Sequence, residues 1–315
     1  MIAVAARRLL ALGPVLLGLT AIVFLMMALI PGDPATAILG AYATPENVAR
    51  LNAELGLDRP LAEQYLLWLG NLAQGDLGRS VSLNRPVAAE VFGRLGATAI
   101  LAGSALLLCA LFGLAAGTVS AVRQFGWTDR IVTLAVLVGL STPAFWLGLL
   151  LIALFAVQLK WLPASGMYAI YGGGGVADLA AHLLLPAVTL ALVATGVVAR
   201  LTRAAMLEVL RQDYIRTARA KGLREVRVIW RHAFRAAIVA VIPVIATQAG
   251  FVLGGAVYVE TVFQWPGLGR MLVEAIAARD ILLVQGGVLV LAGGYVLVNL
   301  AADLLQAALD PRIAR

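Results

Sequence analysis

The sequence is short of nearly every residue type that does chemistry in soluble enzymes. Only 13% of its 315 residues are charged, and it holds one cysteine, two histidines and two lysines. The lone Cys109 excludes an internal disulfide framework. His182 and His232 stand apart, with no second His, Cys or paired carboxylate at metal-ligand spacing. No metal ligand and no catalytic residue is therefore assigned. No HExxH or GxSxG stretch occurs, and neither Lys160 nor Lys221 lies in GxxxxGK[ST], which excludes a phosphate-binding loop of that type. The glycines at 172–175 are not a dinucleotide turn, because no strand–helix–strand pattern surrounds them. A hydrolase or an ATPase has no residues to stand on here. Any active work must draw on another subunit or on an ion gradient. Internal repeats of solenoid period are also missing.

What the chain has in excess is apolar length. Hydrophobic residues make up 62% of it, against about half in a soluble domain. Residues 9–32, 95–122, 131–159, 179–199, 236–259 and 281–302 contain no Asp, Glu, Lys or Arg, and each gap is 21 to 29 residues long. About 20 apolar residues cross a bilayer core as a helix, so the pattern predicts six transmembrane helices. A further charge-free run at 161–177 carries a proline and the four glycines, and reads as a loop.

The formal charge of +7 need not mean nucleic acid. Short loops rich in Lys and Arg stay in the cytoplasm. With the N-terminus inside, the inner segments hold 16 of the 24 basic residues, ten of them between Arg200 and Arg235. The bias predicts cytoplasmic N- and C-termini, and makes the basic charge mainly a topology signal. Arg7-Arg8 before an apolar run, with "ATA" at 35–37, imitates a signal peptide. The apolar run is roughly 22 residues against 7–15 for a signal h-region, and five more spans follow. An uncleaved first helix is expected.

The resulting plan has a transmembrane helix at 1–30, an extracytoplasmic segment at 31–94, a five-helix core at 95–309 with a cytoplasmic segment at 206–236, and a cytoplasmic tail at 310–315. Within 31–94, Leu61, Tyr65 and Leu69 recur at helical spacing and predict an amphipathic helix on the membrane or the bundle. Pro143 is expected to kink the third span, and Pro186 and Pro243 to loosen backbone bonds in theirs. Gln248 and Asn299 are polar residues deep in spans. They either bond between helices or line a path. Asp303 lies near the inner end of the last span.

One stretch between the fourth and fifth spans is unlike the rest. From Leu207 to Lys221 no Gly or Pro intervenes, so a helix is permitted. Leu210, Tyr214 and Ala218 fall in an apolar stripe, Arg211, Ile215 and Arg219 in a second, and Asp213, Thr217 and Lys221 in a polar one. Gly222 suits the left-handed position that ends a helix. The plain reading is a positive-inside loop that only orients two spans. Such a loop needs neither a defined helix nor a stripe of Tyr, Ile and Ala, whereas a helix that docks into a groove on a soluble partner uses both.

At this point "DYIRTARAKGL…IWRHAFRAAI" resembles the EAA segment of type I ABC importer permeases, in the branch for dipeptides, oligopeptides and nickel. That pattern is E-A-A-x-x-x-G followed by I-x-L-P. Arg216, Thr217 and Ala218 stand on E-A-A, Gly222 on the glycine, and Phe234 and Arg235 where L-P would be. These departures resemble the first permease of the pair in this branch. The likeness extends to "PGDP" (31–34), "GLDRPL" (56–61), "GDLGRS" (75–80), "STPAFWLG" (141–148), "LPASG" (162–166), "VETVFQWPGLG" (259–269) and "DPRI" (310–313). Gly96 and Ala240 stand where prolines are common.

The resemblance implies an all-α integral membrane protein with the type I importer transmembrane fold, in the bacterial plasma membrane. It implies a second, homologous permease, two cytoplasmic ATPase domains that bind the ATP and Mg, and an extracytoplasmic substrate-binding protein. This chain would need no cofactor and no nucleic acid, and would contact membrane lipid. The coupling helix would be Asp213, Tyr214, Ile215, Arg216, Thr217, Ala218, Arg219, Ala220, Lys221 and Gly222, with Gln248 and Asn299 as candidates for the translocation path. The cargo would be peptides or a related small solute such as nickel. The competing classes are a stand-alone secondary transporter or channel, which often shows repeats and mid-span charges, and a membrane scaffold that recruits a cytoplasmic partner.

Overall fold

The computed structural model describes residues 2–29 and 34–309, so "DPRI" and most of "PGDP" lie outside the described residues. The chain is helical almost throughout and divides into two compact units, Met1–Ala97 with Pro266–Val296, and Thr98–Trp265 with Leu297–Arg315.

The first unit opens with α1 (Ile2–Ala28), α2 (Pro34–Leu39), α3 (Pro45–Leu55) and α4 (Leu61–Ala73). Thr44 caps α3, its hydroxyl accepting the Asn47 N–H, with Pro45 at the first helical position where its missing N–H costs nothing. The amphipathic helix predicted in this region is α4, but its inward face differs from the expected stripe. Trp68 is buried and Leu61 is 52% exposed. The reason is that α4 packs on α1 through aromatic rings. The Phe24 ring lies 5.4 Å from Tyr65 and 6.2 Å from Trp68, and the Thr20 and Tyr65 hydroxyls meet at 2.9 Å.

A two-residue hairpin, β1 (Arg79–Ser80) with β2 (Arg85–Pro86), leads into α5 (Val87–Val122), whose first turns belong to this unit. Later in the chain come α12 (Leu268–Ala277) and α13 (Ile281–Leu309). Leu268, Met271, Leu272 and Ala275 of α12 recur at i, i+3, i+4 and i+7 and pack into one core with Leu77, Val87, Val91, Leu283 and Val284. Asp280 fastens the hairpin to that core. Its Oδ2 accepts from Ser80 Oγ (2.6 Å), Ser82 Oγ (2.7 Å) and the Ser82 N–H (2.9 Å), and its Oδ1 caps α13 by accepting the Leu283 N–H (3.1 Å).

The second unit holds the rest of α5, then α6 (Trp127–Ser141), α7 (Ala144–Leu151), α8 (Val176–Leu210), α9 (Asp213–Ala220), α10 (Glu225–Arg227) and α11 (Arg235–Val262). Ile152–Gln158 and Val228–Phe234 are π-helical. Pro143 does more than kink its span. Thr142 before it is extended (φ −89°, ψ 124°), and the two flanking helical stretches meet at 108°. Proline removes a donor and forbids the helical conformation to its predecessor. The Thr142 hydroxyl bonds the Val138 carbonyl at 2.7 Å, which satisfies one acceptor at the break. Pro186 and Pro243, by contrast, lie inside unbroken α8 and α11.

Among the described residues, four helices are long and apolar enough to cross a membrane: Val87–Val122, Val176–Leu210, Glu225–Val262 and Ile281–Ala302. The bent pair would make a fifth, and Gly13–Met26 of α1 is a shorter apolar helix. Helices overrun their charge-free gaps. The fourth gap ends at residue 199 and α8 at Leu210; the fifth span, expected over Ala237 to Tyr258, runs from Arg235 to Val262. Charge marks where lipid ends, not where the backbone stops being helical.

Small residues set the contact between α5 and α8. A Cβ on Gly113 would come within 2.7 Å of Val198 Cβ, and one on Gly117 would strike the Ala199 carbonyl and stand 2.5 Å from Thr202 Cβ. The spacing is G-x-x-x-G, which lets two backbones approach inside a membrane. Gly117→Leu is expected to destabilise the second unit by about 1–3 kcal/mol through overpacking, read as a lower melting temperature in detergent. Gly103→Leu on the same helix, where a Cβ meets nothing within 4 Å, should not lower it.

Candidate coupling site

The basic segment is a built substructure. Its expected helix from Leu207 to Lys221 is in fact two. α8 stops at Leu210, Arg211 and Gln212 make a turn with Gln212 extended (φ −74°, ψ 150°), and α9 begins afresh at Asp213. Leu210 therefore belongs to α8, and the stripe it was to share with Tyr214 and Ala218 is cut. Asp213 puts a carboxylate in the first turn of α9, where the helix dipole favours it. At the other end Gly222 has φ 74°. The Gly222 N–H reaches the Arg219 carbonyl (2.9 Å) and the Leu223 N–H the Ala218 carbonyl (3.4 Å), the paired pattern of a left-handed stop. This is the role expected for Gly222.

Within α9, Ile215 is fully buried and Ala218 is nearly so. They pack with Ala121, Met206, Val209, Val228, Ala233 and Ala237, which brings α5, α8, α9, the π-helical stretch and α11 into one core. The opposite face carries Asp213, Tyr214, Arg216, Thr217, Ala220 and Lys221, all exposed, with Tyr214 at 43%. The face offered outward is thus Tyr with charges, while Ile215 and Ala218 hold the helix down. Arg219 is partly withdrawn as well. Its guanidinium bonds both Glu225 oxygens, with Nη2 at 2.6 Å from Oε1, and this carboxylate raises its pKa further above the usual arginine range. Both groups are substantially exposed, so the pair adds under about 1 kcal/mol, but it closes the turn between α9 and α10.

A second feature was read from the sequence only as topology charge. Asp129 is 5% exposed and receives a bidentate grip from Arg203 of α8, Nε to Oδ1 at 2.9 Å and Nη2 to Oδ2 at 2.8 Å. It also accepts from the Ser120 hydroxyl of α5 and from the Phe125 N–H at 3.0 Å. One carboxylate thus joins the end of α5, the start of α6 and the last turns of α8, just above the α9 core. The signal was present. Between Glu90 and Asp178, Asp129 is the sole acidic residue, and a single carboxylate among arginines at a span boundary is a candidate for pairing.

Gln248 and Asn299 are each half-buried on their own helices, α11 and α13. Among the described residues, no group of three or more His, Cys, Asp or Glu is placed to hold a metal.

A bundle of long apolar helices that packs a short basic helix into its own core has the build of a multi-pass membrane protein. Comparison places it further. The profile described as "Binding-protein-dependent transport system inner membrane component" matches residues 77–315, and its N-terminal companion matches residues 1–102. The chain belongs to this family. It is 43% identical to a dipeptide transport system permease of Alkalihalophilus pseudofirmus, covering 99% of both chains. It is 44% identical to a glutathione transport system permease of Pectobacterium atrosepticum over 98% of this chain and 97% of that one. It is 42% identical to a di/tripeptide permease of Pseudomonas aeruginosa, over 99% of both. Its fold resembles a chain of the inward-facing MetNI methionine ABC transporter, with a TM-score of 0.58 at 17% identity over 70% of this chain and 96% of that one. The protein is an inner-membrane ABC importer permease of the type I fold, and ATP hydrolysis belongs to separate subunits.

Removing one partner of the Asp129 clamp strands the other. Asp129→Asn and Arg203→Gln are each expected to cost about 1.5–3 kcal/mol, as for hydrogen bonds to charged groups. The double variant should cost clearly less than their sum, because the bond is lost only once. Thermal unfolding of the four proteins in detergent measures the coupling.

Proposed function

We propose that this chain is the first permease of a heteromeric peptide importer and that α9 is its coupling helix. The observation that carries this reading is the construction of α9: exposed Tyr214, Arg216, Thr217, Ala220 and Lys221 on one face, Ile215 and Ala218 buried on the other, and a left-handed stop at Gly222. A helix so anchored presents an aromatic and charged face to a groove on a soluble subunit, and moves only with the spans it is packed on. Arg219 closes the turn behind it, and Asp213 begins it.

In this reading the six charge-free stretches are six spans, the third being the bent α6–α7 pair, and both termini are cytoplasmic. The charge bias of the loops supports that orientation. Residues 1–30, 31–94 and 95–309 act as first span, extracytoplasmic segment and core, 206–236 as coupling segment and 310–315 as tail. A second, homologous permease pairs with this one, lipid surrounds both, and the path runs between them, with Gln248 and Asn299 as its candidate polar lining. The two ATPase domains close on ATP and draw the coupling helices together, which switches access from the outer to the inner face. The binding protein delivers cargo outside. The named relatives carry dipeptides, di- and tripeptides and glutathione, which favours a short peptide over a nickel complex.

The test is uptake into proteoliposomes holding the full importer with its binding protein. Tyr214→Arg removes the aromatic contact, and Gly222→Pro the stop. A contact worth about 1.4 kcal/mol or more should show as a tenfold or greater loss of ATP-driven peptide uptake, with the complex still assembled in the membrane. Uptake that continues without any ATPase subunit identifies a stand-alone transporter or channel instead. A chain that binds a cytoplasmic partner but moves no solute is a scaffold.

A further inference from the structure

Beside the Asp129 clamp lies a groove of about 300 Å³ between α6 and α8, lined by Val132, Thr133, Val136, Leu137, Arg200 and Arg203 among others. A second groove of about 330 Å³ lies on the other flank of α6, where Thr133 and Leu137 recur and Phe125, Arg130, Leu134 and the clamped Asp129 join them. α6 is therefore a ridge between two channels, with Arg200 and Arg203 on one side and Arg130 on the other.

The two channels are amphipathic along their length. The end near the Arg123–Gly126 turn carries the arginines and the Thr133 hydroxyl. Val136 and Leu137, both apolar, stand about one helical turn deeper, roughly 5 Å. Positive charge at the polar end is in excess, with the one carboxylate of Asp129 among Arg123, Arg130, Arg200 and Arg203. The Asp129 carboxylate is taken up by Arg203, and even there Nη1 donates to no group among the described residues. Arg200 is exposed and makes no ion pair among the described residues. Arg130 lies over the Trp127 ring at 5.4 Å, and among the described residues the Arg123 guanidinium bonds only the neutral Thr128 hydroxyl. Trp127 beside them is exposed, and tryptophan is a residue type that favours a membrane interface.

We propose that this ridge is a specific site for an anionic phospholipid of the phosphatidylglycerol class. The phosphodiester sits against Arg200, Arg203 Nη1 and Thr133, and one acyl chain runs down each flank of α6 along Val136, Leu137 and Leu134. A free anion would leave the channels unfilled. A packed partner helix would bury Arg200 without a counter-charge, which is costly. A zwitterionic headgroup carries its own ammonium into a cluster of arginines. Basic pockets between spans on the cytoplasmic side are suited to anionic headgroups. The inference rests on the reading that this end of the bundle is cytoplasmic, and it fastens a lipid to the clamp directly above the α9 core.

The test counts lipid and does not depend on transport. The full importer complex is purified in mild detergent, stripped of lipid, and titrated with phosphatidylglycerol or phosphatidylcholine under native mass spectrometry. Each arginine near an anionic surface contributes about 1 kcal/mol, roughly fivefold in affinity. Arg200→Gln with Arg130→Gln should therefore weaken phosphatidylglycerol binding about 25-fold. Arg227→Gln, an exposed arginine away from the grooves, should leave it unchanged, and phosphatidylcholine should bind weakly throughout. Val136→Trp, which fills one channel and keeps every charge, should weaken binding too. Equal binding of the two lipids, or unchanged binding in the double variant, overturns the proposal. Either result leaves the importer reading intact, because uptake tests that separately.

Discussion

A backbone amide in hydrocarbon has no water to bond, so each one must find a partner within the protein. That constraint explains why this chain is helical nearly end to end and why its exceptions fall where they do. The one sharp break that the described residues show within an apolar stretch, at Thr142–Pro143, is tolerated because a side-chain hydroxyl takes over a carbonyl there. Pro186 and Pro243 sit in helices that stay continuous. Among the described residues, non-helical backbone otherwise lies outside the long apolar helices, where caps such as Asp280 and the Gly222 stop can satisfy it.

The same solvent removes the usual force between helices. Lipid is as apolar as leucine, so side-chain burial alone does not draw α5 to α8. What holds them is close approach through Gly113 and Gly117 and the clamp of Asp129 on Arg203 and Ser120. The clamp is directional where packing is not. It fixes the rotation of α8 about its axis, and that rotation decides which side of the following turn receives α9. A slip of one residue in α8 would turn Met206 and Val209 away from Ile215, and the short helix would lose its floor.

Much of this was legible in the sequence. The apolar stretches, the bend at Pro143, the loop at 161–177 and the left-handed Gly222 each follow from a local property of residues read in order, and so each could be seen. The family likeness rested on motifs spread along the chain and proved sound. The features that escaped are those in which distant residues choose among local options. Tyr65 and Trp68 turned α4 toward Phe24 and left Leu61 outside. The turn at Arg211–Gln212 has no Gly or Pro to announce it; it exists because α9 must fold back to bury Ile215 and Ala218. Asp129 went unread because its partner lies 74 residues away.

The burial of Ala218 also changes what the proposed coupling segment can do. Had Ile215 and Ala218 faced outward, α9 would be a smoother surface for a close-packed partner, and its link to the spans would be the chain alone. With Ile215 and Ala218 inward, force applied to Tyr214 or Arg216 passes into a core shared by α5, α8 and α11. Packed cores resist compression and shift as units, so a displacement at the exposed face becomes a displacement of helices. A short helix on a flexible loop would absorb the same push. The glycine stop, the Arg219–Glu225 pair and the buried isoleucine are three local devices with one mechanical consequence: the segment has no slack between the surface it offers and the spans it serves.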